Sequence, residues 1–211
     1  MGLNEIIEKV SVLFTKYGVK SVSMDDISRQ LGISKKTLYQ FVNDKEDLVA
    51  KAIGFEKKRM QSCFSNALDD SSRNAIQHLL DVGKHVQKII AEKNPSLEYD
   101  LNKYYPEIYK EFHDFRNKMM YNSVLKNLVQ GKKEGLYRKE LDVEFIARFY
   151  ISRVEMVIES ETATESKEYP AEFFIEIFIY HIHGVSNEKG LEFLKHNMQE
   201  LSNYNLNKNP S

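Results

Sequence analysis

Apolar residues recur at three- and four-residue intervals along most of the chain, beginning with Leu3, Ile6, Ile7 and Val10. This spacing lines one face of an α-helix, whereas a half-buried strand needs strict alternation. Residues that interrupt helices are scarce, with 9 glycines and 4 prolines among 211 residues. A sandwich or barrel of many short strands would need more turns. The sequence therefore predicts an all-α protein that is long enough to enclose a sizeable core.

The segment 173–182 is apolar at nearly every position, and its aromatic and β-branched residues would also suit a strand. No neighbouring segment has the pattern of a partner strand, so we favour a helix. A helix that is apolar on most faces fits between a core and a second subunit. The run contains Glu176 and is about half as long as a bilayer-spanning helix. We therefore expect a buried helix in a soluble protein and no membrane partner.

The charges and the single cysteine limit the environment and the partners of the chain. With 30 basic and 31 acidic residues, the chain has no broad attraction to nucleic acid or anionic membrane, so any DNA affinity must be local. Cys63 is the single cysteine and cannot form an internal disulfide, which fits a reduced cytosol. The first helix lacks the apolar core of a signal peptide. We expect a cytoplasmic protein.

Helix caps and a glycine follow one another closely between residues 23 and 34. Ser23 is a good N-cap, and Asp26 three residues later can reach back to its backbone. This pair predicts a helix over 24–31. Gly32 then stands where a left-handed residue stops a helix, and Ser34 is a fresh N-cap. Two short helices joined by a three-residue turn with a glycine are typical of a helix-turn-helix.

The next helix, predicted over residues 35 to about 41, carries side chains suited to reading DNA. Ile33 and Leu38 are apolar and should anchor it to the first two helices. The side chains left to face outward are Lys35, Lys36, Thr37, Tyr39 and Gln40. Lysine binds phosphate or guanine, threonine donates to phosphate, and tyrosine donates its hydroxyl. Each residue alone would fit a solvated helix surface, but the whole array at these offsets favours DNA binding.

Four motifs stand in a fixed order between Ile6 and Leu48. They are Leu13-Phe14 with Gly18, then Ser23-Met24-Asp25-Asp26-Ile27, then Leu31-Gly32-Ile33-Ser34-Lys35-Lys36-Thr37-Leu38-Tyr39, and finally Asp44-Lys45-Glu46-Asp47-Leu48. In order and spacing, this fifth of the chain resembles the tetracycline-repressor (TetR) family of bacterial transcription regulators. The resemblance implies a DNA-binding N-terminal domain and a larger helical domain that forms a homodimer and binds a small effector.

The resemblance also implies phosphate contacts at Ser23 and Lys45, each at the start of a helix. Phe41 stands where the family commonly has histidine or tyrosine, and it cannot hydrogen-bond to phosphate. Val42 replaces a common phenylalanine, which only shrinks a packing contact. Lys36 replaces a small residue and adds either a base contact or, as we favour, a phosphate contact. The predicted DNA-binding set is Ser23, Ser34, Lys35, Lys36, Thr37, Tyr39, Gln40, Phe41 and Lys45.

Longer helices separated by weak breakers fill the rest of the chain. The predicted boundaries lie at Asn94-Pro95, Pro106, Gly135, Asp142, Pro170 and Gly184. We predict a DNA-binding domain over 1–47, an effector-binding and dimerisation domain over 48–204 and a disordered tail over 205–211. By resemblance, a two-fold dimer places two recognition helices roughly 34 to 36 Å apart on a palindromic operator. An effector would pivot the fourth helix, alter that separation and release the DNA.

Aromatic residues are dense between Tyr99 and Tyr121 and could line an effector pocket. Such a pocket would suit an apolar or aromatic ligand with a polar end. The predicted ligand-binding set is Tyr105, Tyr109, Phe112, His113, Phe115, Arg116 and Arg153. The alternative is a stripe of core residues, and the two arginines would then pair with Glu155 or Glu159 instead of a ligand carboxylate.

The last two long helices are the candidate dimer interface. The predicted interface residues are Phe149, Met156, Phe174, Ile177, Phe178 and His181. The alternative for each is a place in the core of one protomer. Metal binding is poorly supported, because His181 and His183 are two residues apart and point to different sides of a helix.

Catalytic motifs are also missing from the sequence. It has no glycine-rich phosphate loop, nucleophile elbow or cysteine pair, so we expect neither a cofactor nor an enzyme. The rival hypothesis is a helical protein that binds or converts a small molecule, with an N-terminal domain that serves only as an interaction module.

Overall fold

The structure, a computed structural model, describes residues 2–69, 72–92, 94, 96–160 and 170–196. This part of the chain forms ten α-helices and no β-strand, which confirms the all-α prediction. The helices are α1 Leu3–Tyr17, α2 Met24–Leu31, α3 Lys35–Leu38, α4 Lys45–Asp69, α5 Ala75–Glu92, α6 Leu97–Tyr104, α7 Pro106–Lys133, α8 Val143–Ser160, α9 Pro170–Val185 and α10 Glu188–His196. The predicted tail over 205–211 lies outside the described residues.

Most helix ends lie where the sequence predicted them. Gly18 follows α1 and has a φ angle of 80°, and Gly32 follows α2 and has a φ angle of 66°. Gly135 lies in the turn after α7 and has a φ angle of 69°. Such angles suit glycine because it has no Cβ. The Asp142 carboxylate accepts the backbone N–H of Phe145 at 3.0 Å, as expected for the cap of α8. The segment 173–182 lies within α9, so the helical interpretation is confirmed.

Two predictions of helix extent were wrong. The helix predicted over residues 35 to about 41 ends at Leu38, because the following turn is tighter than an α-helix. There the Gln40 N–H bonds to the Thr37 carbonyl at 3.1 Å and the Phe41 N–H to the Leu38 carbonyl at 3.0 Å. Helix α6 was not predicted; it has only eight residues and lies between Pro95 and Pro106.

The described residues form two compact units. Unit 1 contains residues 2–63 and 92–118, and unit 2 contains residues 64–91, 119–160 and 170–196. Helices α4 and α7 contribute residues to both units. The functional boundary predicted after residue 47 stays a prediction.

Unit 1 is built around an apolar core shared by its first four helices and α6. Ile6, Ile27, Leu38 and Leu48 are fully buried in it, and Leu101 of α6 joins them. Polar contacts also attach the segment around α6 to α1: the Asn94 N–H donates to the Thr15 carbonyl at 2.9 Å. The Asp100 carboxylate accepts the Lys20 N–H at 3.0 Å. Helix α6 therefore helps to hold the loop that leads into α2.

Unit 2 has a larger core in which Tyr137 is completely buried. The Tyr137 hydroxyl donates to Asn127 Oδ1 at 3.0 Å, which satisfies the buried polar group. Burial raises the pKa of Tyr137 far above its ordinary value. The ring lies against Gly131 of α7, where a Cβ would fall inside van der Waals distance of it. Tyr137 can therefore pack here only because residue 131 has no side chain.

None of the helices in the described ranges has both the length and the hydropathy needed to cross a lipid bilayer.

We predict opposite effects of the same substitution at two helical glycines. Gly131→Ala should lower the free energy of unfolding by about 1 to 3 kcal/mol, because the new Cβ overpacks against Tyr137. Gly54→Ala in α4 should raise it by about 0.5 to 1 kcal/mol, since no atom lies within 4 Å of the added Cβ. Urea unfolding followed by circular dichroism measures both. Equal effects of the two substitutions would contradict the packing at residue 131.

Candidate DNA-binding surface and apolar cavity

The start of α2 is fixed by a reciprocal pair of hydrogen bonds between Ser23 and Asp26. The Ser23 Oγ accepts the Asp26 N–H at 3.1 Å, and the Asp26 carboxylate accepts the Ser23 N–H at 3.1 Å. The hydrogen bonds from the Ser23 hydroxyl and amide lower the pKa of Asp26. Ser23 itself is exposed, so it holds the helix end at the protein surface.

The turn between α2 and α3 sets the position of the short helix. Gly32 adopts the left-handed conformation, and the Ile33 N–H returns to the Ser28 carbonyl at 3.0 Å. The Ser34 Oγ then accepts the Thr37 N–H at 3.0 Å and caps α3. Leu38 inserts into the core of unit 1 with no exposed surface. A four-residue helix is therefore held at its start by a cap and at its end by a buried side chain.

The outward face of α3 carries the polar and cationic side chains that the sequence predicted. Lys35, Lys36 and Gln40 are exposed, and Tyr39 keeps 45% of its surface exposed. Asp25 holds the Lys35 ammonium at 3.0 Å and raises the pKa of Lys35 by a hydrogen bond. This surface is therefore exposed and positively charged, with one lysine already paired.

Three members of the predicted DNA-binding set, Ser34, Thr37 and Phe41, have intramolecular roles. The hydroxyls of Thr37 and Ser34 lie 2.8 Å apart and bond to each other. Phe41 is half-buried and packs against the core of unit 1. Its position in the core explains why an apolar ring suits a residue that follows the recognition helix.

Lys45, the predicted phosphate contact of α4, is half-buried at the first position of that helix. Burial lowers its pKa, while the carboxylates of Asp100 and Asp26 act in the opposite direction. The helix begins with a cap, since the Asp44 carboxylate accepts the Asp47 N–H at 2.8 Å. Lys45 interacts electrostatically with Asp26, whose carboxylate accepts the Ser23 N–H.

Unit 2 encloses an apolar cavity of about 30 Å³, room for about two water molecules. Side chains from α4, α5, α7, α8 and α9 line it. They are Phe64, His78, Leu79, Val82, Gly83, Val86, Met120, Ser123, Val124, Asn127, Tyr150, Ile151, Val154, Phe174 and Phe178. This lining contains neither a carboxylate nor a lysine or arginine.

Polar side chains of α5 and α7 contribute to the cavity lining, as does Tyr150 of α8. His78 Nδ1 lies 3.3 Å from Gln130 Oε1. Asn127 Nδ2 donates to the Ala75 carbonyl at 2.7 Å, so both of its polar atoms are engaged inside the protein. Ser123 is buried on the same face of α7. The cavity is thus apolar with a narrow polar strip.

None of the seven predicted ligand-binding residues lines this cavity. Tyr105 and Tyr109 pack against the core of unit 1. Phe112, His113, Phe115 and Arg116 also belong to unit 1, and Arg153 of α8 is exposed with its guanidinium 5.4 Å from the Phe149 ring centre.

Arg116 is buried and donates to the Glu98 carboxylate at 2.7 Å. The sequence suggested Glu155 or Glu159 as its partner; the structure shows an ion pair with Glu98, and the Glu159 side chain lies outside the described residues. Within the described residues, no group of histidine, cysteine, aspartate and glutamate side chains could hold a metal ion.

Sequence reasoning missed the α7 residues that do line the cavity. Met120, Ser123, Val124 and Asn127 follow Arg116, the last predicted ligand-binding residue of α7, by one to three helical turns. Their three- and four-residue spacing marks one face of α7, and that spacing was the available signal. The aromatic residues of the predicted ligand-binding set precede these turns of α7 and belong to unit 1.

The predicted interface residues divide between the surface and the interior. Phe149 and Met156 keep 47% and 41% of their surface exposed. Phe174 and Phe178 are buried and line the cavity, and Ile177 is half-buried. His181 is buried and stacks on Tyr150 with ring centres 3.8 Å apart, and burial lowers its pKa to about 3.

Further aromatic side chains are exposed on the same two helices, although the sequence did not single them out as interface residues. Phe145 of α8 is 63% exposed, and Phe173 and Tyr180 of α9 are 47% and 77% exposed. Together with Phe149 and Met156 they form apolar surface on both helices.

Comparison with known proteins gives a family match over the N-terminal part of the chain. Residues 6–52 match the model of bacterial regulatory proteins of the tetR family. The helix-turn-helix repressor KstR2 of Mycolicibacterium smegmatis is 23% identical over 159 residues, covering 69% of this chain and 72% of that protein. A helix-turn-helix regulator of Staphylococcus aureus is 28% identical over 121 residues, covering 53% of this chain and 64% of the relative.

Solved structures of similar fold match almost the whole chain. A TetR-family regulator from Agrobacterium tumefaciens has a TM-score of 0.67 at 15% identity, covering 88% of this chain and 97% of that one. FadR of Bacillus subtilis in complex with stearoyl-CoA has a TM-score of 0.63 at 16% identity, covering 87% and 100%. A regulator from Saccharomonospora viridis in complex with choline has a TM-score of 0.65 at 16% identity, covering 88% and 98%. At these identities the likeness is one of fold.

We predict that Ser23 stabilises the protein by capping α2. Ser23→Ala should lower the free energy of unfolding by about 1 kcal/mol, because the Asp26 N–H loses its acceptor. Ser23→Asn should change it by no more than a few tenths of a kcal/mol, since asparagine caps as well as serine. Urea unfolding measures both variants. A Ser23→Ala protein as stable as wild type would contradict the cap.

Proposed function

Because the chain is a transcriptional regulator of the TetR family, we propose that it binds a palindromic DNA operator as a homodimer and leaves it when an apolar effector enters unit 2. The observation that carries the DNA-binding part is the outward face of α3, fixed by the Ser34 cap and by buried Leu38. No comparison supports the rival hypothesis of an enzyme with an N-terminal interaction module.

The side chains of α3 suit a major groove by their chemistry. Tyr39 and Gln40 are exposed beyond Leu38 and would donate to base edges, while Lys36 would bind phosphate. Ser23 and Lys45, at the starts of α2 and α4, would hold the phosphate backbone. Lys35 must break its ion pair with Asp25 before it binds a phosphate, so its contact contributes less binding free energy than that of an unpaired lysine.

The exposed apolar surface of α8 and α9 would form the dimer interface. Tyr180 and Phe145 are large aromatic residues with more than half of their surface exposed, a costly arrangement for a monomer in water. Burying them against the same surface of a second copy gives a two-fold interface. A two-fold dimer presents α3 twice, at a spacing that fits successive turns of the major groove.

The cavity of unit 2 would receive the effector. Because its lining is mainly apolar and has no carboxylate, lysine or arginine, an alkyl or aromatic part of the ligand would enter and any charged group would remain at the mouth. The cavity is far smaller than such a ligand, so side chains such as Phe64 must move on binding. Phe64 belongs to α4, the helix that begins with Lys45. A shift of α4 would therefore change DNA affinity, with a typical coupling of about 1 to 3 kcal/mol.

We predict that an alkyl ligand, but not a small cation, releases the protein from DNA. The assay is fluorescence anisotropy with a duplex from upstream of the protein's own gene and a scrambled duplex of equal length. Stearoyl-CoA should weaken binding to the upstream duplex by roughly 5- to 150-fold. Choline should have no effect, because it lacks the alkyl chain that the apolar lining would bury.

A cavity-filling variant provides the control. Ser123→Leu should lose its response to stearoyl-CoA, because Ser123 lines the cavity. It should bind the upstream duplex like wild type, because Ser123 belongs to α7 and not to the DNA-binding helices. Stearoyl-CoA release that is unchanged in this variant would place the effector elsewhere. A wild-type protein that does not distinguish the two duplexes would refute operator binding.

A further inference from the structure

Two lysines and two tyrosines form a surface cluster outside the helix-turn-helix. This α6 patch consists of Lys20 in the loop before α2 and Tyr99, Lys103 and Tyr104 of α6. The Lys20 and Lys103 ammonium groups lie 5.2 Å and 5.6 Å from the centre of the Tyr104 ring. The Lys103 ammonium also donates to the Tyr99 hydroxyl at 2.9 Å. Two positive charges thus share one aromatic ring.

The two charges of the α6 patch lack acidic partners in the described part of the chain. No carboxylate there lies within salt-bridge distance of the Lys20 or Lys103 ammonium. The neighbouring carboxylate, Asp100, is buried and accepts the Lys20 N–H. Hydrogen bonds to Tyr104 and Tyr99 raise the pKa values of Lys20 and Lys103, so both stay protonated at neutral pH. The patch therefore holds two positive charges close together, and a bound anion would reduce the repulsion between them.

The α6 patch is continuous with the two predicted phosphate contacts of the helix-turn-helix. The Asp100 carboxylate accepts the backbone N–H of Lys20 and interacts electrostatically with both Lys45 and Tyr104. Lys45 is also near Asp26, which forms the capping pair with Ser23. Lys20 and Lys45 thus both interact electrostatically with Asp100, and Lys103 joins them through the Tyr104 ring that it shares with Lys20.

We propose that the α6 patch binds the DNA phosphate backbone and extends the contact beyond the helix-turn-helix. This inference rests on the proposed function, because it assumes that the protein binds an operator. Lysine ammonium groups and tyrosine hydroxyls are both phosphate donors. Contacts to phosphate carry no base information, so the patch adds affinity to every duplex and fixes the orientation of unit 1 on it. Helix α6 thereby becomes part of the DNA-binding surface.

The salt dependence of binding tests this proposal. Full-length wild type, Lys20→Gln/Lys103→Gln and a matched control are titrated against operator and scrambled duplexes between about 50 and 200 mM salt. The control is Lys110→Gln/Lys118→Gln, which removes the same charge from two exposed lysines of α7 in unit 1. Lys45→Gln serves as the reference for a phosphate contact. Lys20→Arg/Lys103→Arg keeps both charges and should keep wild-type binding.

We expect the patch variant to lose phosphate contacts on both duplexes. The slope of log K against log salt should fall by about 0.9 per lost contact, or roughly 3.6 for the four lysines of a dimer. Affinity at about 150 mM salt should fall at least roughly tenfold, while the ratio of operator to scrambled binding stays constant.

Two outcomes would overturn the proposal and leave the proposed function standing. In the first, wild type binds the operator and the patch variant has the same slope as the Lys110→Gln/Lys118→Gln control. In the second, the patch variant loses affinity for the operator alone, as a base contact would. Failure of wild type to bind any duplex would instead refute the proposed function and this inference together.

Discussion

The burial of Leu38 beneath α3 is the interaction on which the DNA-binding surface depends. A helix of four residues has no stability of its own, because helix nucleation costs more than so few hydrogen bonds return. Leu38 is completely buried among residues of α1, α2 and α4, and the Ser34 cap fixes the other end of the helix. The outward direction of Lys36, Tyr39 and Gln40 follows from that single inward side chain.

The two units divide the chemistry of a regulator between them. Unit 1 presents exposed cations on a framework of capped helix ends, which suits a polyanionic surface. Unit 2 contains a mainly apolar cavity without a carboxylate, lysine or arginine in its lining, and it exposes aromatic surface on α8 and α9. Helix α4 contributes to both, with Lys45 at its start and Phe64 in the cavity lining. The proposed coupling between effector and DNA therefore runs along one continuous helix.

Local signals made the helix-turn-helix predictable from sequence, whereas the cavity required tertiary structure. The ends of α2 and the start of α3 depend on Ser23, Gly32 and Ser34, and each acts on residues no more than five positions away. The cavity combines side chains from five helices, and no local pattern encodes that combination. Tyr105 and Tyr109, which the sequence assigned to a ligand pocket, pack against the core of unit 1. Phe174 and Phe178 face inward on α9, which sequence periodicity could not decide because this helix is apolar on most faces.

Selection of bound duplexes from a random pool tests the central claim most directly, since the operator sequence need not be known in advance. If α3 enters the major groove twice per dimer, the selected sequences should contain two inverted half-sites centred about 10 base pairs, or a multiple of that, apart. Enrichment of a single unpaired motif would contradict the dimeric geometry. If the purified protein enriches no sequence from the pool at modest ionic strength, that result would contradict DNA binding by this surface.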